Sequence, residues 1–526
     1  MGVGKSSVGR VLASSLARRF VDLDSLIEAE AGATIRQLVE SRGEAHFRKL
    51  ERTKLEELLA LAGEVVIALG GGALVDPTMR EQALRAGVVV GLSANAAELA
   101  RRIGGDGSRP LLDDDRASTS LHQKIERLLI ERAHAYRPVH LTRSTADRSV
   151  AEVAAELEAT LRRGVFPISV GSTIAYSVRR ADESAGAAVG ALLSDLAPSR
   201  IAIVTDQDVA PLHLERFVAG LAAAGFAAHE IVVLEVGEPH KTLAAVERVT
   251  AALAHAECDR HSVVIGLGGG VVTDVAGFAA SIFARGIPWV AVPTSLLGMV
   301  DAAIGGKTGV NLGQAKNAIG TFHHPAAVVV DITFSRTESA RRVRSGLAEV
   351  VKSAAVRDVA LFEWLEKNAV ALSAREPAAL AHAVEGAIAI KAEVVTEDPD
   401  ERGARAVLNF GHTLGHAIEA ASGYETFAHG EAVSVGMVAA ARVGRHQGRS
   451  APDVADRLEA LLTALGLPTE VAESSGESAL ALIRYDKKRN RGTLPLVVPD
   501  VIGSAVRLPL SVELCVASFR RAMSRS

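Results

Sequence analysis

Cysteine is nearly absent: the 526 residues contain two, Cys258 and Cys515. They lie far apart, form no CxxC pair and no disulfide framework, and fit a reducing compartment. Long apolar runs are missing too. No stretch of about 18 or more apolar residues occurs, so no ordinary membrane-spanning helix is expected. The start has no basic segment leading into an apolar stretch, so no secretory signal is expected, and a cytoplasmic location follows. Charge of one sign is also lacking. Lys and Arg total 58 against 62 Asp and Glu, a net charge of -4. That balance gives no footprint for nucleic acid or an anionic membrane. Aromatic residues make up only 4%. Low-complexity segments and repeats at solenoid periods are absent.

What is present is apolar residue, 48% of the chain. Domains of about 100–200 residues are usual, so two to four cores are expected. Residues 65–69 and 87–92 are apolar runs flanked by glycine, as in buried parallel strands. Helical patterns at 48–62 and 121–133 lie near them. The helix expected at 150–163 ends in Arg162-Arg163-Gly164, where a domain boundary is placed. Strands are then expected near 167–171, 201–205, 231–235, 263–267 and 289–292. From about residue 339 the strand signals thin out, and helical patterns such as 377–396 and 453–465 take over.

The chain opens Met1-Gly2-Val3-Gly4-Lys5-Ser6-Ser7. Gly4-Lys5-Ser6 matches the end of a P-loop, whose backbone amides wrap phosphate while Lys and the hydroxyl serve phosphate and Mg²⁺. The preceding strand and first glycine are missing. Asp22-Leu23-Asp24 ends a short strand pattern, and carboxylates two apart on an extended chain share a face. Arg48 sits in a helical pattern. Gly70-Gly71-Gly72 follows a buried strand and admits a ligand to the backbone. Arg109-Pro110-Leu111-Leu112 has the look of a lid, with Arg132 on the next helix.

This set, in this order, resembles shikimate kinase over residues 1–163. The resemblance implies ATP- and Mg²⁺-dependent phosphorylation of shikimate. It assigns Gly4, Lys5 and Ser6 to ATP phosphate and Mg²⁺, and Asp22 to the metal. Asp24, Arg48, Gly71, Gly72 and Arg132 would hold shikimate. Arg109, with Arg102 behind it, would contact ATP. Family members carry a strand and a glycine ahead of the position of Met1, so Met1 is expected to be an internal methionine of a longer protein, with kinase activity conditional on that extension.

The second half carries denser motifs. Val263 to Leu267 is a strand pattern, followed by Gly268-Gly269-Gly270-Val271 and a helical start, a geometry suited to pyrophosphate. Arg285, Pro293-Thr294-Ser295, Asp301, Gly305-Gly306-Lys307-Thr308-Gly309-Val310-Asn311 and Lys316-Asn317 follow. Two lysines and an arginine among glycines point to an anionic ligand. Glu349 and Lys352, then Asn409 to His412, His416 and His429, supply a carboxylate and histidines on three segments. One carboxylate and two histidines suit a catalytic zinc site with an open position. Spacing leaves open which two histidines bind.

These motifs, in order, resemble 3-dehydroquinate synthase over about residues 165–510. The resemblance implies NAD and Zn²⁺, or Co²⁺, as cofactors and 3-deoxy-D-arabino-heptulosonate 7-phosphate as substrate. It assigns the metal to Glu349, His412 and His429, and gives Glu401 and His416 proton-transfer roles. Arg285, Asp301, Lys307, Asn317, Lys352, Lys391, Arg405, Asn409 and Lys487 or Lys488 would meet substrate. Asp206, Glu238, Lys241, Gly269, Gly270, Val271, Asp274, Thr294, Ser295, Lys316 and Thr337 would meet NAD. The cofactor would take and return hydride within each turnover while phosphate is eliminated. A homodimer through this half is implied.

The expected fold is therefore α/β. A kinase-like parallel-sheet domain spans 1–163, an α/β NAD-binding part spans 164–338, and a mainly helical metal- and substrate-binding part spans 339–526. Two rival functions remain. One is a metal-dependent polyol dehydrogenase, which has no need of the cation cluster. The other is an inert nucleotide-binding remnant over residues 1–163. The two expected reactions are not consecutive, so co-expression is the expected reason for the fusion.

Overall fold

The computed structural model describes residues 2–60, 65–103, 121–136, 138–313, 315–423, 426–487 and 493–523. By contacts the chain forms two compact units, Met1–Arg179 with Leu192–Leu196 and Arg180–Ala191 with Ala197–Ser526.

The first unit contains two parallel strand pairs. Arg19–Asp22 pairs with Val65–Ala68, and Val90–Ser93 pairs with Leu141–Ser144. Helix Glu44–Ala60 buries Phe47, Glu51, Leu55 and Leu58, residues three and four apart along one face. Phe47, Leu55 and Leu58 pack with Val21, Leu23 and Ile27. Glu51 is a carboxylate on this otherwise apolar stripe, 1% exposed. Helix Val150–Arg163 starts at Ser149, whose hydroxyl accepts from the Glu152 amide while Glu152 reaches back to the Ser149 amide. Its Val153, Ala154 and Leu157 close a second core on Val8, Leu12 and Leu141. Burial of each such leucine contributes about 1.5–3 kcal/mol. An antiparallel hairpin, Val165–Val170 with Ile174–Arg180, follows.

Asp22 and Asp24 do not share an extended segment. Asp22 ends the strand and caps helix Leu23–Ala31, accepting from the Ser25 amide, so Asp24 lies in the first helical turn. The short polar side chain of Asp22 satisfies an amide that has no partner inside the helix, and that ends the strand early.

Five parallel strands lie within the second unit. Across the sheet they run Ala327–Val330, Trp289–Pro293, Val263–Gly268, Ile201–Asp206 and Glu230–Leu234. The two strands Val263–Gly268 and Trp289–Pro293 are buried throughout, which explains their unbroken apolar runs. Strand order reverses between Ile201–Asp206 and Val263–Gly268. Ligands of open α/β sheets bind in the crevice at the carboxyl ends of such a pair.

The glycine- and lysine-rich segment expected to meet an anionic ligand forms a hairpin, Lys307–Leu312 with Ala315–Phe322. Gly309 and Gly320 face each other across it, and a Cβ on Gly320 would lie 2.1 Å from the Thr308 carbonyl oxygen. Here glycine permits close strand approach. The register shifts around Asn311, a bulge.

Beyond residue 339 the unit is mainly helical, with Ala340–Arg357, Pro377–Glu397, His412–Ala421 and His429–His446 at its centre. One hairpin, Thr493–Val501 with Ser504–Ser511, was not expected there. Among the described residues no helix is long and apolar enough to cross a membrane.

Candidate active sites

The first unit gathers its candidate residues around the end of helix Lys5–Ser15. Gly4 precedes that helix with φ 85°, a left-handed conformation open to glycine. Ser6 donates to Asp22. Asp24 is held above the ordinary carboxylate range by burial and by Asp22, against the pull of Lys5 and Arg48. Arg48 donates to Glu51 at 2.6 Å and to Glu44 at 3.1 Å. A Cβ on Gly72 would lie 2.4 Å from Arg48 Nη1, and one on Gly70 would lie 2.6 Å from both Asp24 and Glu51. Those glycines bring backbone against the charged cluster. Arg132 donates to the Gly71 carbonyl at 3.0 Å.

Asp24, Arg48, Gly71, Gly72 and Arg132 thus converge, with Lys5, Ser6 and Asp22 at one edge. Glu51 joins them and was missed. Burial raises its carboxyl, against the pull of Arg48. Its place three residues after Arg48, on an apolar helical face, was the available signal. Arg102 is tied to Glu98 and to Thr145. Arg109 lies outside the described residues.

In the second unit, the glycines after strand Val263–Gly268 divide their work. A Cβ on Gly268 would meet Val272 at 2.6 Å, so this glycine lets helix Gly270–Ile282 pack on the strand. A Cβ on Gly269, at the start of that helix, would meet nothing closer than Ser295 Oγ at 3.5 Å, which leaves room for a ligand. Val271 lies in the first turn. Lys241, 4% exposed, pairs with Asp274 at 2.5 Å and donates to Asn317. Burial pushes Asp274 up to about 6 in spite of Lys241. Asn311 donates to Glu238 at 2.9 Å and accepts from the Asn317 amide at 2.8 Å. It joins one expected cofactor residue to one expected substrate residue.

Other expected cofactor residues hold local structure. Asp206 accepts from the amides of Asp208 and Val209. The Thr294 amide donates to the Gly268 carbonyl, Ser295 Oγ accepts from the Gly298 amide, and Thr337 meets His213 at 2.8 Å.

Around these lies a dense charge cluster. Lys391 contacts Asp301, and Lys352 lies 3.9 Å from it. Burial alone would raise Asp301, but Lys391 and Lys352 outweigh it and hold the carboxyl well below its ordinary range. Arg405, 3% exposed, donates to the carbonyls of Gly305 and Pro399. A Cβ on Gly305 would lie 2.2 Å from its guanidinium. Lys307 contacts Glu401, which also accepts from Asn409 at 2.8 Å. Loss of water, then nearby Arg405, draws Lys307 down to about 8 although half its side chain is exposed. Arg285 is exposed on the turn after helix Gly270–Ile282, with φ 69° and no ion pair among the described residues. The Lys487 side chain and Lys488 lie outside the described residues.

Glu349, His412 and His429 converge from three helices. Glu349 Oε1 lies 3.7 Å from His412 Nε2 and 3.5 Å from His429 Nε2. His412 Nδ1 bonds the Phe410 carbonyl at 3.1 Å, which leaves Nε2 directed inward. Glu349 is 1% exposed and neither oxygen has a hydrogen bond of good geometry, though Lys352 Nζ stands 2.5 Å from Oε2. Burial lowers His412 to about 3 and leaves it neutral, whereas Glu349 and Glu419, against burial, push His429 up to about 10, so an ion bound there would displace its proton. A buried carboxylate facing two imidazole nitrogens fits a divalent ion of the zinc type. His416 stands beside them, its ring 5.1 Å from that of His412; although its side chain is exposed, partial loss of water and then nearby His429 lower it to about 4.

Glu419 was missed by the sequence. It is 3% exposed and lies 3.4 Å from His429 Nδ1 and 3.2 Å from Lys316. Its position three residues after His416, on the same helical face, was the signal.

Comparisons with known proteins agree with this geometry. Residues 1–162 match the family profile described as shikimate kinase. Residues 231–345 match 3-dehydroquinate synthase N-terminal, and 346–489 match 3-dehydroquinate synthase C-terminal. The 3-dehydroquinate synthase of Halorhodospira halophila is 47% identical over 317 residues, covering 60% of this chain and 88% of that protein. That of Citrifermentans bemidjiense is 46% identical over 294 residues, covering 56% and 81%. Among solved structures, 2-epi-5-epi-valiolone synthase from Streptomyces hygroscopicus, with NAD⁺ and Zn²⁺ bound, is 31% identical with TM-score 0.61, covering 68% of this chain and 98% of that one. A 2-deoxy-scyllo-inosose synthase at 23% identity and TM-score 0.62 shares the fold, covering 68% and 99%. The chain belongs to the 3-dehydroquinate synthase family and carries a shikimate kinase domain over residues 1–162.

Proposed function

We propose that the synthase part converts 3-deoxy-D-arabino-heptulosonate 7-phosphate to 3-dehydroquinate and phosphate, and that the kinase domain phosphorylates shikimate with ATP. The convergence of Glu349, His412 and His429 beside Asp301, Lys352, Lys391 and Arg405 carries the synthase reading. A buried cation group of this density suits a substrate with both a phosphate and a carboxylate. The solved 2-epi-5-epi-valiolone synthase holds NAD⁺ and Zn²⁺, which supports the same pair here, with Co²⁺ as the alternative ion. When bound, the metal polarises a hydroxyl oxygen, NAD takes up and returns hydride, and ATP with Mg²⁺ supplies the phosphoryl group.

The residues then divide as follows. Glu349, His412 and His429 hold the ion. Gly269, Gly270 and Val271, at the start of their helix, receive the NAD pyrophosphate, with Asp206, Glu238, Lys241, Asp274, Thr294, Ser295, Lys316 and Thr337 around the cofactor. Lys307, Asn317, Lys352, Lys391, Arg405, Asn409 and Arg285 orient the substrate with Asp301, and Lys487 or Lys488 completes that set. His416 is neutral near pH 7 and accepts a proton, and Glu401, held by Asn409, is the second acceptor. In the kinase domain Lys5 and Ser6 face phosphate and Mg²⁺ with Asp22, while Asp24, Arg48 and Arg132 hold shikimate. Domain limits at 1–163, 164–338 and 339–526, a homodimer and a cytoplasmic location belong to the same proposal.

Two assays on one preparation test it. Phosphate release from the heptulosonate phosphate, dependent on NAD and metal and without net NADH, is the expected result. Steady NADH accumulation would overturn the synthase assignment in favour of a dehydrogenase. Shikimate-dependent ADP formation is expected once the segment upstream of Met1 is present; its absence even then would leave an inert nucleotide-binding module.

A further inference from the structure

Helix His412–Ala421 presents three polar side chains about one turn apart, His412, His416 and Glu419. The third has no part in the assignments above. Glu419 is almost wholly buried, and its two oxygens serve different partners. Oε2 lies 3.4 Å from His429 Nδ1 and Oε1 lies 3.2 Å from Lys316 Nζ. The other nitrogen of the same imidazole, Nε2, lies 3.5 Å from Glu349 Oε1. The ring of His429 is therefore held between two carboxylates from different segments.

We propose that Glu419 is a positioning residue that orients His429 for the divalent ion and links that ion's affinity to Lys316 on the hairpin strand Ala315–Phe322. The proposal rests on Glu349, His412 and His429 being the metal ligands. A carboxylate that accepts from one ring nitrogen fixes the tautomer, turns the other nitrogen's lone pair toward the ion, and raises its basicity. Burial of Glu419 makes this hold strong, because a carboxylate shielded from solvent in a low-dielectric setting binds its donor more tightly. Lys316 balances the second oxygen of Glu419, so loss of Lys316 redistributes the charge that His429 feels. Through this one side chain the hairpin assigned to the cofactor reaches the ring assigned to the metal.

The same residues allow a rival arrangement. His416, Glu419 and His429 have ligand atoms within 4.8 Å of one another, so Glu419 would be a ligand if a second ion bound there.

Metal-stripped full-length chain is titrated with Co²⁺ against a competing chelator, following stoichiometry, affinity and the visible Co²⁺ spectrum. The wild type is expected to bind one ion, lost in His412→Ala. Glu419→Ala is expected to weaken Co²⁺ about 10- to 100-fold. Glu419→Gln keeps an acceptor without the charge and should fall between, which preserves the test if the alanine variant does not fold. Lys316→Met is expected to change Co²⁺ affinity by at least about 2-fold in the wild type and by less in the Glu419→Gln background. Unchanged affinity in both Glu419 variants overturns the positioning role, and two ions per chain overturn it in favour of a ligand role. Absence of any Co²⁺ binding, or binding indifferent to His412→Ala, instead overturns the metal assignment beneath it.

Discussion

Lys352 Nζ stands 2.5 Å from Glu349 Oε2, one helical turn away, and both side chains are nearly inaccessible to water. Burial works against both charges, yet each keeps the other ionised: Lys352 is raised and Glu349 is held below the ordinary carboxylate range. Without metal, Lys352 is a principal counter-charge of this carboxylate. Lys352→Met removes the largest counter-charge of Glu349, and breaking such a buried pair costs up to about 3–5 kcal/mol. A divalent ion restores positive charge at Glu349. The melting temperature of Lys352→Met is therefore expected to drop in metal-stripped protein, and saturating Zn²⁺ should narrow the gap to wild type. An equal gap with and without Zn²⁺ rules this out.

Asn311 connects two halves of the candidate site. Its amide donates to Glu238 and its oxygen accepts from the Asn317 amide, where the backbone is left-handed at φ 51°. Asn311→Ala removes both bonds and is expected to weaken NAD binding and to lower kcat/KM for the heptulosonate phosphate, each by about 10-fold. Asn311→Asp retains the acceptor for Asn317 but places a carboxylate against Glu238. It should weaken NAD more than it affects turnover at saturating NAD. Calorimetric NAD titration with steady-state kinetics checks both, and two variants with identical profiles would refute the division of labour.

Much of the candidate site in the second unit was legible because it gathers residues that make poor core. Glycine, lysine and histidine in Lys307 to Asn317 and Asn409 to His416 stand out from an apolar background. What was hidden looks ordinary in one dimension. Glu419 and Glu51 sit on helices where a lone carboxylate reads as a solvated position, and only packing shows them buried. Asn311 lay inside a quoted motif, but its two-sided bonding depends on the bulge around it. The hairpin Thr493–Val501 with Ser504–Ser511 was missed because Pro495, Pro499 and Pro509 argue against a central strand, whereas a two-stranded ribbon has edges that tolerate them. The hairpin Lys307–Leu312 with Ala315–Phe322 was missed for a related reason: glycine pairing across strands leaves no apolar alternation to read.

In the kinase domain, Gly72 gives a test that separates binding from folding. Its φ of -113° suits any residue, so alanine brings no backbone strain. The new Cβ would fall 2.4 Å from Arg48 Nη1, the movable end of a long side chain. Gly72→Ala is therefore expected to fold normally and to displace the guanidinium. Loss of one charge-assisted bond lowers shikimate affinity about 10-fold or more. Calorimetric shikimate titration reads the loss and a thermal melt reads the fold. A variant that melts early, or one that binds shikimate as wild type does, contradicts this account.

His140 sets an acid limit on the first unit. Its Nδ1 accepts from the Val89 amide at 3.0 Å, while Nε2 is buried without a hydrogen-bond partner among the described residues. Burial lowers the imidazole to about 4 from its ordinary 6.5. The unfolded chain therefore takes up a proton first as pH falls. The contribution of neutral His140 is complete above pH 6.5 and is lost progressively down to about pH 4, below which it is flat. The maximum loss is on the order of 3 kcal/mol, with a slope of at most about 1.4 kcal/mol per pH unit. His140→Gln keeps an acceptor for Val89 but cannot take up the proton. Its melting temperature is expected to lie below wild type at pH 7 and to fall less steeply between pH 6.5 and 4, so that the two curves approach each other. Parallel curves across that window would show that the acid sensitivity of the unit arises elsewhere.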